Sequence, residues 1–277
     1  MLRKLGLAFS ICLMIMSAQA QQIKTPQPSP GQTIKQDFGI SSIELTYSRP
    51  SMKGRKIFGD LVPYGQVWRT GANGVTRIKF ADDVTIGGQP LKAGEYAIYT
   101  VPNEKEWDVI MSKGVNNWGT EYKQDEDVVH LKVKTIKMDQ ALETFTMQFA
   151  NIKSNSAELH IMWEKTAVVI PIVTDVDKKV MAQIDNAMNK DNHPYFQAAM
   201  YYMESGKDLN QAVTWFNKAL EQTPNAYWVY HQKANALAKL GNKAEARAAA
   251  QMSMELAKIE KNEDYVKLNE KLLESLK

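Results

Sequence analysis

A chain of 277 residues is long enough for two domains, and 44% hydrophobic with 23% charged residues is the composition of a folded protein rather than a disordered one. The formal charge of +3 falls to 32 basic against 31 acidic residues once Arg3 and Lys4, near the start, are set aside. A body so close to neutral lacks the concentrated basic surface that a phosphate backbone requires, so nucleic acid is excluded as the main partner.

Residues 1–20 read as a secretory signal: "MLRK" is positive, "LGLAFSICLMIMS" is apolar, and "AQA" at 18–20 offers small residues for cleavage after Ala20. The apolar run is shorter than the ~20 residues of a membrane span, so no transmembrane segment is expected in the mature chain. That places the protein in the periplasm or outside the cell. The single cysteine, Cys12, lies inside the run and follows Ile11, where lipid attachment calls for a small residue. A mature chain starting at Gln21 then has no disulfide, no thiol nucleophile and no cysteine metal site.

Residues 21–36 carry three prolines and little apolar content, and read as a flexible tether. From residue 37 the pattern alternates with period two. Ile43, Leu45 and Tyr47 fall on one side of "SIELTYS", and Thr76, Ile78 and Phe80 on one side of "TRIKF". Further strands are expected at 84–86, 95–101, 107–111, 128–136, 144–150, 157–164 and 167–173, with a hairpin at Gly87–Gly88. Short strands with no helices between them predict an all-β antiparallel sandwich over 37–174.

At about residue 175 the period becomes helical, with Val180, Ile184 and Met188 on one face and Asp175 or Asp177 as N-cap. Five more helices follow, near 194–205, 209–222, 225–240, 243–258 and 262–276. They repeat with a period of 34: Ala212 aligns with Ala246, Phe216 with Ala250, and Ala219 with Ser253. The pattern resembles the tetratricopeptide repeat, with Gly206 and Gly241 between helices, Ala212, Phe216, Ala219 and Ala246 as packing positions, and Pro224 closing the first copy. The expectation for 175–277 is an all-α domain of tetratricopeptide-like repeats. Such repeats offer a surface to a protein or peptide partner.

The run "SRPSMKGRKIFGDLVPYGQVWRTGAN", residues 48–73, resembles the signature of the bacterial family known as domain of unknown function 2911. "LKAGEYAIYTVPNEKEWDVIMSK", "NNWGTEY" and "LHIMWEKTAVVIPI" resemble its later segments, so that the likeness covers about 37–173. It implies a secreted β-sandwich and carries no catalytic residues with it.

The residues of that run admit two readings. Arg49, Arg55, Tyr64, Trp68, Arg69 and Asn73 together could bind a small anionic or carbohydrate ligand, because guanidinium groups grip carboxylates and aromatic faces stack on rings. Equally, the arginines could tie loops to backbone carbonyls, Arg69 could pair with Asp60 or Glu44, Trp68 could belong to the core, and 71–74 could be a turn. On balance "YGQVWRTGAN", residues 64–73, reads as a sheet corner whose arginine, Arg69, is fixed by hydrogen bonds. The leading functional expectation is a non-catalytic binding protein. The alternative is a hydrolase-type enzyme with a polar site around Arg49, Asp60 and Arg69. His130, His160, His193 and His231 have no ligand-spaced partners, no nucleophile motif is present, and neither metal nor cofactor is expected.

Overall fold

In the computed structural model, which describes residues 25–117, 121–190 and 193–277, the chain divides into two units at Thr174/Asp175. The expected signal over 1–20, its cleavage at Ala20, and Cys12 lie outside the described residues, as does Trp118 of the "NNWGTEY" segment.

The first unit is a sandwich of two antiparallel sheets. One has the order β1-β2-β3-β6-β7-β8, formed by Gly31–Phe38, Ser41–Ser48, Thr76–Phe80, Gly94–Val101, Glu106–Ser112 and Asp127–Lys134. The other has the order β5-β4-β10-β9, formed by Gln89–Leu91, Val84–Ile86, Ser156–Thr174 and Ile136–Ala150. Period-two alternation puts Ile43, Leu45, Ile78, Phe80, Ile98, Trp107 and Val109 of one sheet in a single core with Phe145, Met147, Leu159, Ile161, Trp163 and Ile170 of the other. Each such side chain contributes on the order of 1.5–3 kcal/mol by leaving water. Gly87 and Gly88 have φ of 55° and 86°, the left-handed pair that a two-residue hairpin between β4 and β5 requires.

Three expectations are corrected. Residues 31–36, expected in the tether, belong to β1, which pairs with β2 from Gly31↔Ser48 to Phe38↔Ser41. Composition misleads there because β1 is an edge strand whose inward positions include Gln32 and Gln36 beside Ile34 and Phe38. Strand β9 begins at Ile136 rather than near 144; none of its residues is buried before Phe145, so the first half has no inward face that alternation would announce. The two strands expected at 157–164 and 167–173 are one, β10, in which Glu164 at φ 53° and two register shifts break the alternation without ending the pairing.

Among the described residues the second unit holds six helices: α1 Val176–Met188, α2 Tyr195–Glu204, α3 Leu209–Gln222, α4 Tyr227–Lys239, α5 Lys243–Ile259 and α6 Glu263–Ser275. Asp175 caps α1 by accepting from the Lys178 N–H, whereas Asp177 accepts from the Tyr201 hydroxyl and pairs with Lys207. Consecutive helices from α2 onward pack against each other, and α6 packs on both α5 and α4. Ala212, Phe216, Ala219 and Ala246 are buried at the expected packing positions. Gly206 and Gly241 take left-handed φ of 70° and 82°, and the following amide reaches back in each turn, Lys207 N–H to the Tyr202 carbonyl and Asn242 N–H to Leu237. Pro224 lies exposed in the α3–α4 turn.

Where the second copy has Ala250 and Ser253 for Phe216 and Ala219, a buried polar network stands. Asn269 donates to Ser253 Oγ at 2.8 Å and to the Tyr265 carbonyl at 2.7 Å, so its Oδ1 accepts from His231 Nδ1 at 2.8 Å. Ser253 Oγ in turn donates to the Tyr227 carbonyl. This fixes the tautomer of His231 and ties α4, α5 and α6 together.

Candidate functional site

The stretch between β2 and β3 forms two corners that use arginine differently. At the first, Arg49 follows β2. Its Nε donates to the Phe145 carbonyl at 3.2 Å and an Nη to Thr146 Oγ1 at 3.0 Å. Around it, Met52 N–H bonds the Glu143 carbonyl and Phe145 N–H the Pro50 carbonyl, so the segment is laced to the edge of β9. Arg55 bonds the carbonyls of Met52 and Ser51 at 2.8 and 2.7 Å.

The chain then sends Ile57, Phe58 and Val62 into the core. Gly59 sits at φ 81°, the left-handed region that favours glycine, and the ring of Tyr64 lies 2.6 Å from where a Cβ would stand. Residues 61–67 leave Leu61, Tyr64 and Val67 exposed. Trp68 rejoins the sheet through paired bonds with Thr100 and sends its Nε1–H to the Gly71 carbonyl. Its ring packs edge-on against Phe145 and stacks at 6.0 Å and 18° on Trp163.

The second corner follows. Thr70 is fully buried at φ 54°, a left-handed conformation that a β-branched residue rarely adopts. It is held by bonds from its Oγ1 to Thr100 Oγ1 and from Thr76 Oγ1 to its carbonyl. Asn73, also at positive φ, ties the turn to the Ser29 carbonyl and to Ser48 Oγ. Arg69, between Trp68 and Thr70, is half-buried. Its Nε is enclosed without an acceptor, and among the described residues its side chain makes no hydrogen bond or ion pair. The expectation that hydrogen bonds fix this arginine is therefore corrected: they fix Arg49 and Arg55, and Arg69 pairs with neither Asp60 nor Glu44.

Beside Arg69 lies a cavity of about 630 Å³. Arg55, Trp68 and Arg69 line it, with an apolar wall of Leu61, Val62, Pro63 and Val67, and with Tyr122 and Trp163. The other residues singled out in the sequence are elsewhere. Arg49 and Asn73 are engaged as described. Tyr64 lines a separate recess with Asn103, Glu104, Lys105, Glu106 and Lys132, where burial and the Glu104 and Glu164 charges raise its hydroxyl pKa. Asp60 is exposed and lines neither. Tyr122 and Trp163 carry no signal near the arginines in sequence, because the sheets alone bring them there.

The described lining includes two arginines and no carboxylate, histidine, lysine or cysteine. Tyr122 adds no charge. Its hydroxyl donates to Asp127, and burial followed by that bond pushes its pKa well up. Among the described residues no group of three or more His, Cys, Asp or Glu is placed to hold a metal ion. In the helical unit a smaller recess of about 330 Å³ is lined by His193, Phe196, Gln197, Gln222 and Val229, with Trp228 exposed at its edge. No described helix is long and apolar enough to cross a membrane.

Comparison with known families places the sandwich. A family model described as "Protein of unknown function (DUF2911)" matches residues 29–172, more than half of the chain. The chain belongs to this family. The match begins at 29 rather than 37 and so takes in β1, which composition had hidden. A tetratricopeptide-repeat model matches residues 215–248, from within α3 to within α5. No curated protein and no solved structure matches the chain. Membership in a family of unknown function, joined to a tetratricopeptide repeat, fits a non-catalytic role in protein interaction.

Proposed function

We propose that this is an exported, non-catalytic binding protein, whose sandwich holds a small ligand in the cavity beside Arg69 and whose helical repeats hold a protein or peptide partner. The observation that carries the ligand half is Arg69 itself. A guanidinium on a cavity wall without an acceptor is a group whose hydrogen bonds await a partner. The described lining offers no acid–base pair, which favours holding over converting. The enzyme reading built on Arg49, Asp60 and Arg69 has less support, because Arg49 is engaged with β9 and Asp60 lies away from the cavity. The repeat match, the exposed Trp228 and the recess beside it support the partner half. Export rests on the character of residues 1–20.

Thermal melting of the full chain against a broad set of small anions and sugars tests the ligand reading. Ligands that raise the melting temperature of the parent protein are expected to have no effect on Arg69→Met. A turnover measured for any of them would replace this reading with the enzymatic one. For export, the mass of the protein recovered outside the cytoplasm is expected to correspond to a chain starting at Gln21.

A further inference from the structure

The recess in the helical unit is lined by the first turns of α2 and α4 and by the end of α3. Its floor is made of buried side chains, two of them small: Ala219, Ala226 and Val229. Trp228 stands at its edge, 38% exposed. The indole meets the ring of Tyr227 edge-on at 5.1 Å. Tyr227 is itself braced edge-on by Tyr265, and its hydroxyl accepts from the Asn262 amide. An exposed aromatic face is therefore held in a set direction, with Phe196, half-buried, as a second apolar group in the lining.

The polar groups around it are uncharged and mostly unspent. Gln222 gives one amide N–H to the His193 carbonyl at 3.2 Å and keeps its second N–H. Gln197, Thr223 and Trp228 make no side-chain hydrogen bond among the described residues. Ala226, the N-cap of α4, supplies no side-chain acceptor to the N–H groups of its first turn. The described lining contains no lysine, arginine, aspartate or glutamate.

This chemistry selects among the ways in which proteins hold peptides. An acidic tail calls for lysine or arginine, and neither is in the described lining. Strand addition calls for a sheet edge, and the described helical unit has no strand. An amphipathic helix calls for a long groove with apolar anchors every three or four residues, whereas about 330 Å³ is at the small end of ligand sites. A polyproline II segment matches what is present. It has no internal hydrogen bonds, so its carbonyls are free for the N–H groups of Gln197, Gln222 and Trp228. Its prolines bring no N–H that would need an acceptor, and their rings pack on aromatic faces. An uncharged segment also suits an uncharged lining, because no ion has to leave water unpaired on either side.

We infer that the recess is a docking site for an uncharged, proline-containing, extended segment of a partner protein, with Trp228 packing on a proline ring and Gln197 and Gln222 donating to the segment's carbonyls. This rests on the reading that the helical repeats hold a protein or peptide partner. It goes further in naming the chemistry of the segment and the side chains that recognise it.

The test is calorimetric titration and tryptophan fluorescence of the full chain with peptides of equal length: an oligoproline, an alternating proline–glutamine peptide, the matching alanine–glutamine peptide, an amphipathic helical peptide, and an acidic peptide ending in a free carboxylate. The two proline peptides are expected to bind, and the alanine–glutamine peptide to bind about tenfold or more weakly, because it must be ordered first. Trp228→Ala lowers the affinity for the proline peptides about tenfold or more, and Gln197→Ala about threefold. Met252→Ala, at an exposed position of α5 outside the recess, leaves it unchanged. Melting curves of the three variants show that they are folded. Proline-peptide binding that survives both Trp228→Ala and Gln197→Ala would overturn the assignment to the recess. Equal binding of the alanine–glutamine peptide would overturn the role of proline. Binding of the helical or the acidic peptide that depends on Trp228, without binding of either proline peptide, would overturn the choice of segment and leave the repeats as a surface for a partner. No binding by any peptide would count against both the proline segment and the partner reading of the repeats.

Discussion

Arg49 and Arg69 stand near the two ends of one family signature, and each follows a residue paired into the six-stranded sheet. Their surroundings make them different objects. Arg49 points to the edge of β9 and satisfies a carbonyl and a hydroxyl there, closing a seam between a loop and an exposed strand. Arg69 points to a cavity wall and satisfies nothing within the described chain. The first corner is complete as folded, and the second has hydrogen-bonding capacity left over. A charged donor enclosed without an acceptor costs free energy, roughly 1–3 kcal/mol or more, unless something else supplies the acceptor. The contrast separates an arginine that holds the fold from one that is available to hold something else.

A fully engaged polar group lies in the helical unit, and it sets the upper end of the comparison. Asn269 is completely buried and uses both ends of its amide on three residues. Asn269→Ala leaves His231 and Ser253 short of partners between three helices. Its expected cost is roughly 2–4 kcal/mol, read from denaturant unfolding followed by the helical circular dichroism signal. A cost below about 0.5 kcal/mol would mean that water replaces the network easily, and that buried polar groups in this protein do not need internal partners.

Arg49→Ala comes next. It removes the donor to the Phe145 carbonyl and the tie to Thr146, and with them part of the seam on β9. The loss is expected to be about 1–3 kcal/mol, measured as the shift of the sandwich's unfolding midpoint in urea. Arg49→Lys is expected to recover only part of it, because an ammonium cannot reach both acceptors in the same plane.

These differences bear on what the sequence makes legible. Alternation such as Ile43/Leu45/Tyr47 announces strands because the period is local, and the spacing Ala212/Phe216/Ala219 announces packed helices for the same reason. Strand β1 escapes because it is an edge strand with glutamines on its inward face. The unity of β10 escapes because Glu164 turns to positive φ within a strand that remains paired on either side. The site is half legible. Arg55, Trp68 and Arg69 stand close together in sequence and meet at one cavity, whereas Tyr122 and Trp163 reach it only through the sheets. The fate of each arginine could not be read at all. The partner of Arg49 lies 96 positions away, and the lack of a partner for Arg69 depends on every element packed around it.

A smaller effect concerns the helical unit, where one of three similar turns lacks a glycine. Lys261 takes φ 57° in an exposed turn between α5 and α6, and the Asn262 amide reaches back to the Ala257 carbonyl. The turn repeats the geometry at Gly206 and Gly241 with a side chain where those two have none. Lys261→Gly is expected to stabilise the helical unit by about 0.5–1 kcal/mol, seen as a rise in its melting temperature. If it does not, contacts of the lysine stem offset the cost of the left-handed turn at this position.

The smallest expected effect is the one that separates the two corners. Arg69→Met removes a guanidinium without an internal partner and leaves an unbranched apolar stem against Trp68 and the cavity wall. Nothing in the described chain loses a hydrogen bond. Replacing an unpaired, partly enclosed charge by an apolar group of similar reach is neutral or stabilising, so the midpoint in urea is expected to move by no more than about 0.5 kcal/mol in the unliganded protein. A loss as large as that of Arg49→Ala would make Arg69 another structural tie, and the distinction between a complete corner and an open one would fall with it. Unchanged stability would leave ligand binding as the property on which this side chain acts.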